Sequence, residues 1–332
     1  MTPTTRSSAP APERAPAGGA RLDVADATRR KHPGRWLGAV VVAVLAAQLG
    51  HMLVTNDRFG WDVVASWVTA ESIMRGLGVT LLLTVVAMVI GIVLGVLLAV
   101  CRISGNPLLR GAAGAYIWFF RGTPTLVQLI FFYNLSALLP QISFGIPFGP
   151  EFVTFSTNAL ITPLLAAILG LGLNEGAYMA EIIRGGLLSV DPGQRESGQA
   201  LGMTGNRIMK RIVLPQAMRF IVPPTGNQVI SMVKATALVS VIALSDLLYT
   251  AQAIYNRTFQ TIPLLVVACL WYLAITSILY VGQSWIERYY SRGDRHQKVS
   301  FWDFLRIRPR ATTPRPPPST VPPRGSTEGP TG

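Results

Sequence analysis

The apolar residues of this chain gather into uncharged blocks of roughly 18–25 residues, about what one helix needs to cross a bilayer. The first block, residues 36–54, is apolar apart from Gln48 and His51, and Arg29, Arg30, Lys31 and Arg35 precede it. Residues 56–75 mix charges with Trp61 and Trp67 and predict an amphipathic segment at the outer interface. Residues 77–100 hold 24 positions without a charge and predict the clearest span. Gly91 and Gly95 lie within it at a small-xxx-small spacing that lets helices approach closely, a spacing that chance also produces in apolar helices. The third block is interrupted. Residues 108–120 are amphipathic, Arg121-Gly122-Thr123-Pro124 breaks the pattern, and residues 126–139 are apolar again. Pro is tolerated in a first helical turn, so an interfacial helix over 108–120 and a third span from Pro124 are predicted, with Arg121 at the inner surface. A fourth span follows at about 159–180, a fifth from Pro223-Pro224 to about Leu248, and a sixth over 263–286, after a short outer loop carrying Arg257.

Composition agrees with this pattern and narrows it. Only 14% of the 332 residues are charged, against about a quarter in soluble domains. The net charge of +13 divides into +4 over residues 1–35, +4 over 36–286 and +5 over 287–332. Lys and Arg collect in cytoplasmic segments of membrane proteins, which accounts for the basic sum without nucleic acid. A six-span arrangement with both termini cytoplasmic places 25 of the 29 Lys and Arg inside, leaving Arg58, Arg75 and Arg257 outside and Lys234 within a span. The tails at 1–35 and 291–332 are basic, and thirteen of the twenty-four prolines lie before residue 36 or after residue 308, a composition that predicts disorder. About 35 polar residues before the first apolar block do not form a standard signal peptide. Two cysteines and three histidines leave too little for a disulfide framework, a metal site or a resident cofactor.

The hydrophilic segment 184–219 carries six basic residues against Asp191 and Glu196 and is expected in the cytoplasm. Asp191-Pro192-Gly193-Gln194 has the residues of a capping box before a helix. Gly202 suits the left-handed position that ends one. Thr204 can cap a second helix to residue 213, and Pro215 is expected to break it. A short capped helix pair projecting from a membrane bundle suits docking of another protein, although a long connecting loop is the plainer reading.

Glu196-Ser197-Gly198, with Gly202 six residues after the Glu and then Ile212-Val213-Leu214-Pro215, resembles the Glu-Ala-Ala loop of ABC importer permeases. Ser197 and Gly198 stand where that family usually has alanines; both are small, though Gly198 weakens a helix by about 1 kcal/mol relative to Ala. Phe120-Arg121-Gly122-Thr123-Pro124, the run Ala177-Tyr178-Met179-Ala180-Glu181 to Gly186, and Gly226-Asn227-Gln228-Val229-Ile230-Ser231 through Lys234 and Thr236 are similar to polar amino-acid permeases, in the same order, over about residues 72–290. The resemblance implies an all-α type I importer permease in a bacterial cell membrane, with residues 36–54 as an extra transmembrane helix. It also implies a cytoplasmic ATPase dimer docked on the loop, an extracytoplasmic solute-binding protein, and a second permease subunit, identical or related. ATP hydrolysis would belong to the partner: the chain has no phosphate loop, nor a Gly-Lys pair, and no nucleophile elbow or zinc-protease motif. Other solutes of such permeases, an opine or oligopeptide, remain open, and an ion-coupled carrier or channel would not need the capped loop.

Ionisable residues inside a span are functional candidates. Glu181, three residues before Arg184, fits a structural pair. Glu175 departs from the small or polar residue usual in the family; it would line a path for a cationic group or pair with Lys234. Asn227, Ser231 and Lys234 share one helical face with Gln228 beside it, so with Thr236 they are candidates for the solute path. Ordinary interhelical hydrogen bonding is the alternative.

Overall fold

A computed structural model describes residues 33–146 and 151–290. The tail expectations therefore fall outside the described residues, except that Pro33 to Arg35 open the first helix. The described residues form two units, one made of residues 33–70 with Ala251–Val267, the other of the described residues within Glu71–Thr250 together with 268–290.

In the first unit, α1 (Pro33–Thr55) leads through a single 3-10 turn, Asp57–Phe59, into α2 (Trp61–Trp67). Gly60 joins them in the left-handed region, φ 55°, where a side chain would also strike Pro263. Trp61 donates its indole N–H to the Leu53 carbonyl at 2.9 Å, which fixes the amphipathic segment to the end of α1.

The second unit begins with α3 (Glu71–Ile103), whose 33 residues rise about 50 Å, well beyond a hydrocarbon core of about 30 Å. Glu71 in its first turn and Arg102 in its last suit the helix dipole. Asn106 accepts from the Leu108 N–H at 2.9 Å and caps α4 (Pro107–Gly122). Thr123 is forced extended by the following proline, and α5 (Thr125–Tyr133) and α6 (Leu135–Leu138) follow. The expected third span is thus two short helices; α5 rises only about 13 Å. Next come β1 (Gln141–Gly145) and β2 (Glu151–Ser156), antiparallel partners with Ile142 opposite Phe155 and Ser143 opposite Thr154. This hairpin departs from the all-α expectation. Its alternation of β-branched or aromatic with polar residues is a period-2 pattern, too short to stand out between two apolar blocks.

After α7 (Thr157–Leu160), Thr162 caps α8 (Pro163–Leu188), which runs eight residues past the expected fourth span. Then come α9 (Pro192–Ala200), α10 (Gly205–Ile208), a π turn at Met209–Val213, α11 (Leu214–Ala235) and a 3-10 segment, Thr236–Ile242. Two expectations fail here. Pro215 does not break the chain, because the π turn before it widens the helix: Leu214 N–H bonds the Met209 carbonyl five residues back. That opening relieves the clash a proline makes with the carbonyl four residues earlier. Nor does the fifth span start at Pro223-Pro224, since α11 runs through both. The side chains of Thr225, donating to the Ile221 carbonyl at 2.7 Å, and Gln283, donating to the Pro223 carbonyl at 2.7 Å, bond the backbone around this pair. The helix stops instead at Ala243, which sits at φ 56°. α12 (Leu247–Thr258) contains Arg257, placed in a loop by the sequence reading, and α13 (Thr261–Tyr290) ends the described chain.

Among the described residues, three helices are long and apolar enough to cross a membrane: α1, α3 and α13. A fourth follows if Gly205–Ile242 and Leu247–Thr258 form one bent span. The six-span reading adds α8, long enough but carrying Asn174 and Glu175 at its centre, and the α5–α6 pair.

The closest packing is between α3 and α8. A Cβ on Gly91 would lie 2.5 Å from Glu175 Cγ, and one on Gly95 2.5 Å from Met179 Cβ; reciprocally, Gly172 faces Ile90 and Gly176 faces Leu94. The small-residue spacing is therefore used. Gly91→Val should cost about 1–3 kcal/mol of overpacking and lower the amount of chain in membranes, whereas Gly78→Val, which meets open space, should not. Equal abundance of the two variants by immunoblot would show that this contact does not hold the bundle.

Candidate functional site

The capped segment forms a helical hairpin after α8. Asp191 accepts from the Gly193 N–H at 2.7 Å and so caps α9. The reciprocal half of the capping box is not made, because Gln194 instead accepts from the Gln216 amide at 3.3 Å. That contact ties α9 to α11. At the other end Gly202 adopts φ +69°. Its N–H bonds the Gln199 carbonyl at 2.9 Å and the Met203 N–H bonds the Gly198 carbonyl at 3.0 Å, a Schellman pair. Arg195 donates to the Leu187 carbonyl at 3.1 Å and fastens the hairpin to α8.

Gly198 is buried: a Cβ there would lie 2.9 Å from Ile208 and 3.2 Å from Ile212. Its missing side chain is what lets α9 pack on the π turn, so its low helix propensity is offset by contact. Ile212 is half-buried, while Glu196, Ser197, Gly202, Leu214 and Pro215 are exposed. Leu201 was not singled out in the sequence, yet it is 80% exposed at the tip beside Gly202.

The second constellation lies between α5, α8 and α11. Glu175 is buried on α8 and its carboxylate accepts from the Gln228 amide at 3.1 Å and 3.4 Å. An open cavity of about 230 Å³ is bounded there by Thr125, Asn174, Glu175, Tyr178, Gln228 and Ser231, among others. Arg121 sits 5.2 Å from the centre of the Tyr178 ring, a cation–π contact at the cavity's edge. The cavity thus holds a buried carboxylate, two amides, two hydroxyls and an aromatic face. A carboxylate in low dielectric is costly without a compensating charge, and the only ion pairs among the described residues are Glu71–Arg75 and Glu181–Arg184.

Of the predicted path residues, Glu175 and Ser231 meet at this cavity. Asn227 and Lys234 lie on the exposed side of α11. Thr236 is fully buried and donates to the Val233 carbonyl at 2.7 Å. The Glu175–Lys234 pair is not formed, because Gln228 occupies the carboxylate while Lys234 points out of the unit. Glu181 and Arg184 do pair, at 2.7 Å, as their spacing suggested.

Two polar groups escaped the sequence reading as functional positions. Gln128 is the single polar residue of its apolar run before Asn134; its amide donates to the Phe120 carbonyl at 3.0 Å and Thr123 Oγ1 at 2.7 Å, and accepts from Asn174 at 3.1 Å. This network holds the α4–α5 break against α8 and reaches the cavity through Asn174. Asp246 is fully buried at the start of α12, where it accepts from the Tyr249 N–H at 2.8 Å and the Tyr272 hydroxyl at 3.4 Å. Its signal was a lone carboxylate within an apolar run.

The chain is similar to known transport proteins over most of its length. Residues 91–292 match the binding-protein-dependent transport system inner membrane component family. The arginine transport system permease protein ArgU of Corynebacterium glutamicum is 44% identical over 265 residues, 79% of this chain and 82% of that protein. A probable amino-acid ABC transporter permease, YckA of Bacillus subtilis, is 36% identical over 66% of this chain and 89% of its own length. Among solved structures, an amino acid ABC transporter crystallised with histidines superposes with a TM-score of 0.57 at 34% identity, covering 65% of this chain and 93% of that one. The inward-facing MetNI methionine transporter, at a TM-score of 0.52 and 21% identity over 67% of this chain and 99% of its own, shares the fold. A helical membrane bundle with a capped hairpin, and a family match over most of its length, place this chain among the inner-membrane components of binding-protein-dependent transport systems.

Proposed function

We propose that this chain is the permease subunit of an ATP-driven importer of polar amino acids that carry a cationic group, and that the solute passes the cavity at Glu175. The observation that carries the reading is the buried Glu175 carboxylate, bonded by a neutral amide and facing open space. A guanidinium or ammonium group would supply the missing charge, Tyr178 an aromatic face for it, and Asn174, Gln228 and Ser231 the hydrogen bonds. The similarity to a protein named as an arginine permease supports the same class. Lys234 and Asn227, polar yet exposed on a membrane helix, suit the lining of a passage shared with a second permease subunit. Glu175→Gln keeps the shape and removes the charge. It should lower arginine uptake at least tenfold in cells relying on this chain, by the roughly 1.4 kcal/mol or more that one lost charge contact represents, and spare glutamine uptake. Lys234→Met should lower uptake of both. Unchanged arginine uptake in Glu175→Gln would remove the cavity from the solute path.

The hairpin supports docking of an ATP-hydrolysing partner on the cytoplasmic side. Glu196, Ser197 and Leu201 project from it, while Gly198 and Ile212 keep it stiff. Glu196 contributes about 0.3–1 kcal/mol to its own helix through the dipole, so Glu196→Ala should reach the membrane at normal abundance. Removing one partner of a desolvated charge pair costs about 2–5 kcal/mol, a weakening of roughly 30-fold or more in ATPase capture, with uptake lost alongside. Co-purification, abundance and uptake measured on the same membranes separate the outcomes: a fall in abundance makes Glu196 a folding residue, and normal capture with normal uptake ends the docking assignment.

The six-span arrangement puts both termini in the cytoplasm, on the basic cluster at 29–35 and the positive-inside bias. Reporter fusions at Ser8 and Gly325 should both read cytoplasmic. A periplasmic signal from either would change the span count.

A further inference from the structure

A second concavity, of about 730 Å³, opens on the flank of the bundle between α3, α8 and α11 and is walled almost wholly by apolar side chains. Its floor is buried Met179, Ile183 and Ile221; its rim is Val96, Val100 and Leu214, which are exposed. Gly95 deepens it, since only a glycine there lets Met179 lie directly against α3. Its end nearest the α9 hairpin is Ser104, just past α3, and Met209 on the π turn. Lys210 and Arg211 follow Met209 in the chain, and both are exposed. No carboxylate balances them on the segments that form this mouth: α3 has none after Glu71, and the chain has none between Glu196 and Asp246. On α8 the one nearby carboxylate, Glu181, is paired with Arg184.

We propose that this groove holds one acyl chain of an anionic phospholipid, whose phosphodiester headgroup lies at Lys210 and Arg211. The volume falls in the range of specific ligand pockets, about 300–1,000 Å³, and apolar walls that end at Met209, with two exposed basic residues following it in the chain, suit a headgroup-and-tail ligand. Lipid tails are as apolar as the groove, so selectivity comes from the charge at the mouth. Each Lys or Arg near a membrane surface favours an anionic lipid by about fivefold. The leaflet, the cytoplasmic one, rests on the sidedness proposed above, but the binding does not. Met209 belongs both to the groove wall and to the π turn on which α9 packs. A bound lipid therefore braces the hairpin from behind.

The test uses the full chain in nanodiscs with phosphatidylglycerol or phosphatidylcholine bearing a photoactivatable acyl chain, with labelled peptides mapped by mass spectrometry. Phosphatidylglycerol should label residues 92–104 and 209–225 preferentially, and hydrogen exchange over 205–214 should slow relative to phosphatidylcholine. Val96→Trp fills the groove and should abolish that labelling; Leu97→Trp, exposed on the same helix outside the groove, should not. The exposed double variant Lys210→Gln with Arg211→Gln should keep the labelling pattern and lose the preference for phosphatidylglycerol by about tenfold or more. Equal labelling by both lipids in the wild-type chain would overturn the headgroup assignment. Labelling spread evenly along α3, or survival of the signal in Val96→Trp, would overturn the groove. Protection of 205–214 by soluble glycerol phosphate at the same concentration would make the ligand a free phosphoester rather than a lipid. None of these readouts involves solute uptake, so they stand apart from the transport assignment.

Discussion

The contact between α3 and α8 is the constraint on which the rest of the second unit depends. In a bilayer, helices gain nothing from leaving water, so association rests on close van der Waals packing and hydrogen bonds. Gly91 and Gly95 on α3, with Gly172 and Gly176 on α8, bring the two backbones together without intervening side chains. Two features follow directly. The space left by Gly91 is taken by Cβ and Cγ of Glu175, so the glycine sets where the buried carboxylate sits. The space left by Gly95 is taken by Met179, the floor of the apolar groove. One glycine pair thus positions a polar cavity on one side of α8 and an apolar one on the other.

A second constraint is that backbone polar groups have no water to turn to at that depth. The chain answers with amides. Asn174 and Gln128 both donate to the Phe120 carbonyl, where α4 gives way to the Pro124 break, and Gln283 donates to the Pro223 carbonyl inside α11. A side chain on Gly226 would meet the same Gln283 amide. These bonds let irregular backbone exist within the bundle, and irregular backbone is what opens the cavity between α5 and α8. Asp246 serves the same end at the start of α12, capping a helix where Ala243 has turned the chain into the left-handed region.

Long-period features were legible in the sequence; features that depend on a partner element were not. The uncharged run of α3 needs no context to read as a span, and Gly202 identifies a left-handed helix end because few residues tolerate it. The capping Asp191 was legible for the same local reason. Gln194 was not, because its choice between Asp191 and Gln216 is made by the packing of α11. On local sterics Pro215 reads as a break and Pro223-Pro224 as the start of a span; the π turn and the side-chain donors that accommodate them are not visible in those local residues. Glu175 was visible as a charge in an apolar run, but whether it met Lys234 or Gln228 depended on the rotation of α11, which a face pattern alone does not set. The hairpin at β1 and β2 shows the opposite limit, a pattern correct in kind but shorter than its apolar neighbours.

One helical stretch joins the two candidate surfaces. From Ile208, against which Gly198 packs, to Gln228, which bonds Glu175, the chain is helical throughout, about 30 Å at 1.5 Å per residue. A rigid helix would transmit any displacement of α9 to Gln228 undiminished. This one carries a π turn at 209–213 and a proline pair at 223–224, and both are places where helices bend. The π turn lies against α9 and the proline pair lies one turn before Gln228. Flexing at both would let the hairpin tilt while the helix between them stays straight, and the tilt would then move the Gln228 amide relative to the carboxylate. Among the described residues Gln228 is the hydrogen-bond donor to the Glu175 carboxylate, so a small rotation there would change whether the carboxylate is bonded to the protein or free for a cationic ligand. Coupling by this route needs two discrete arrangements of α11, each favoured by one state of the partner. The hinge positions are where those arrangements would differ.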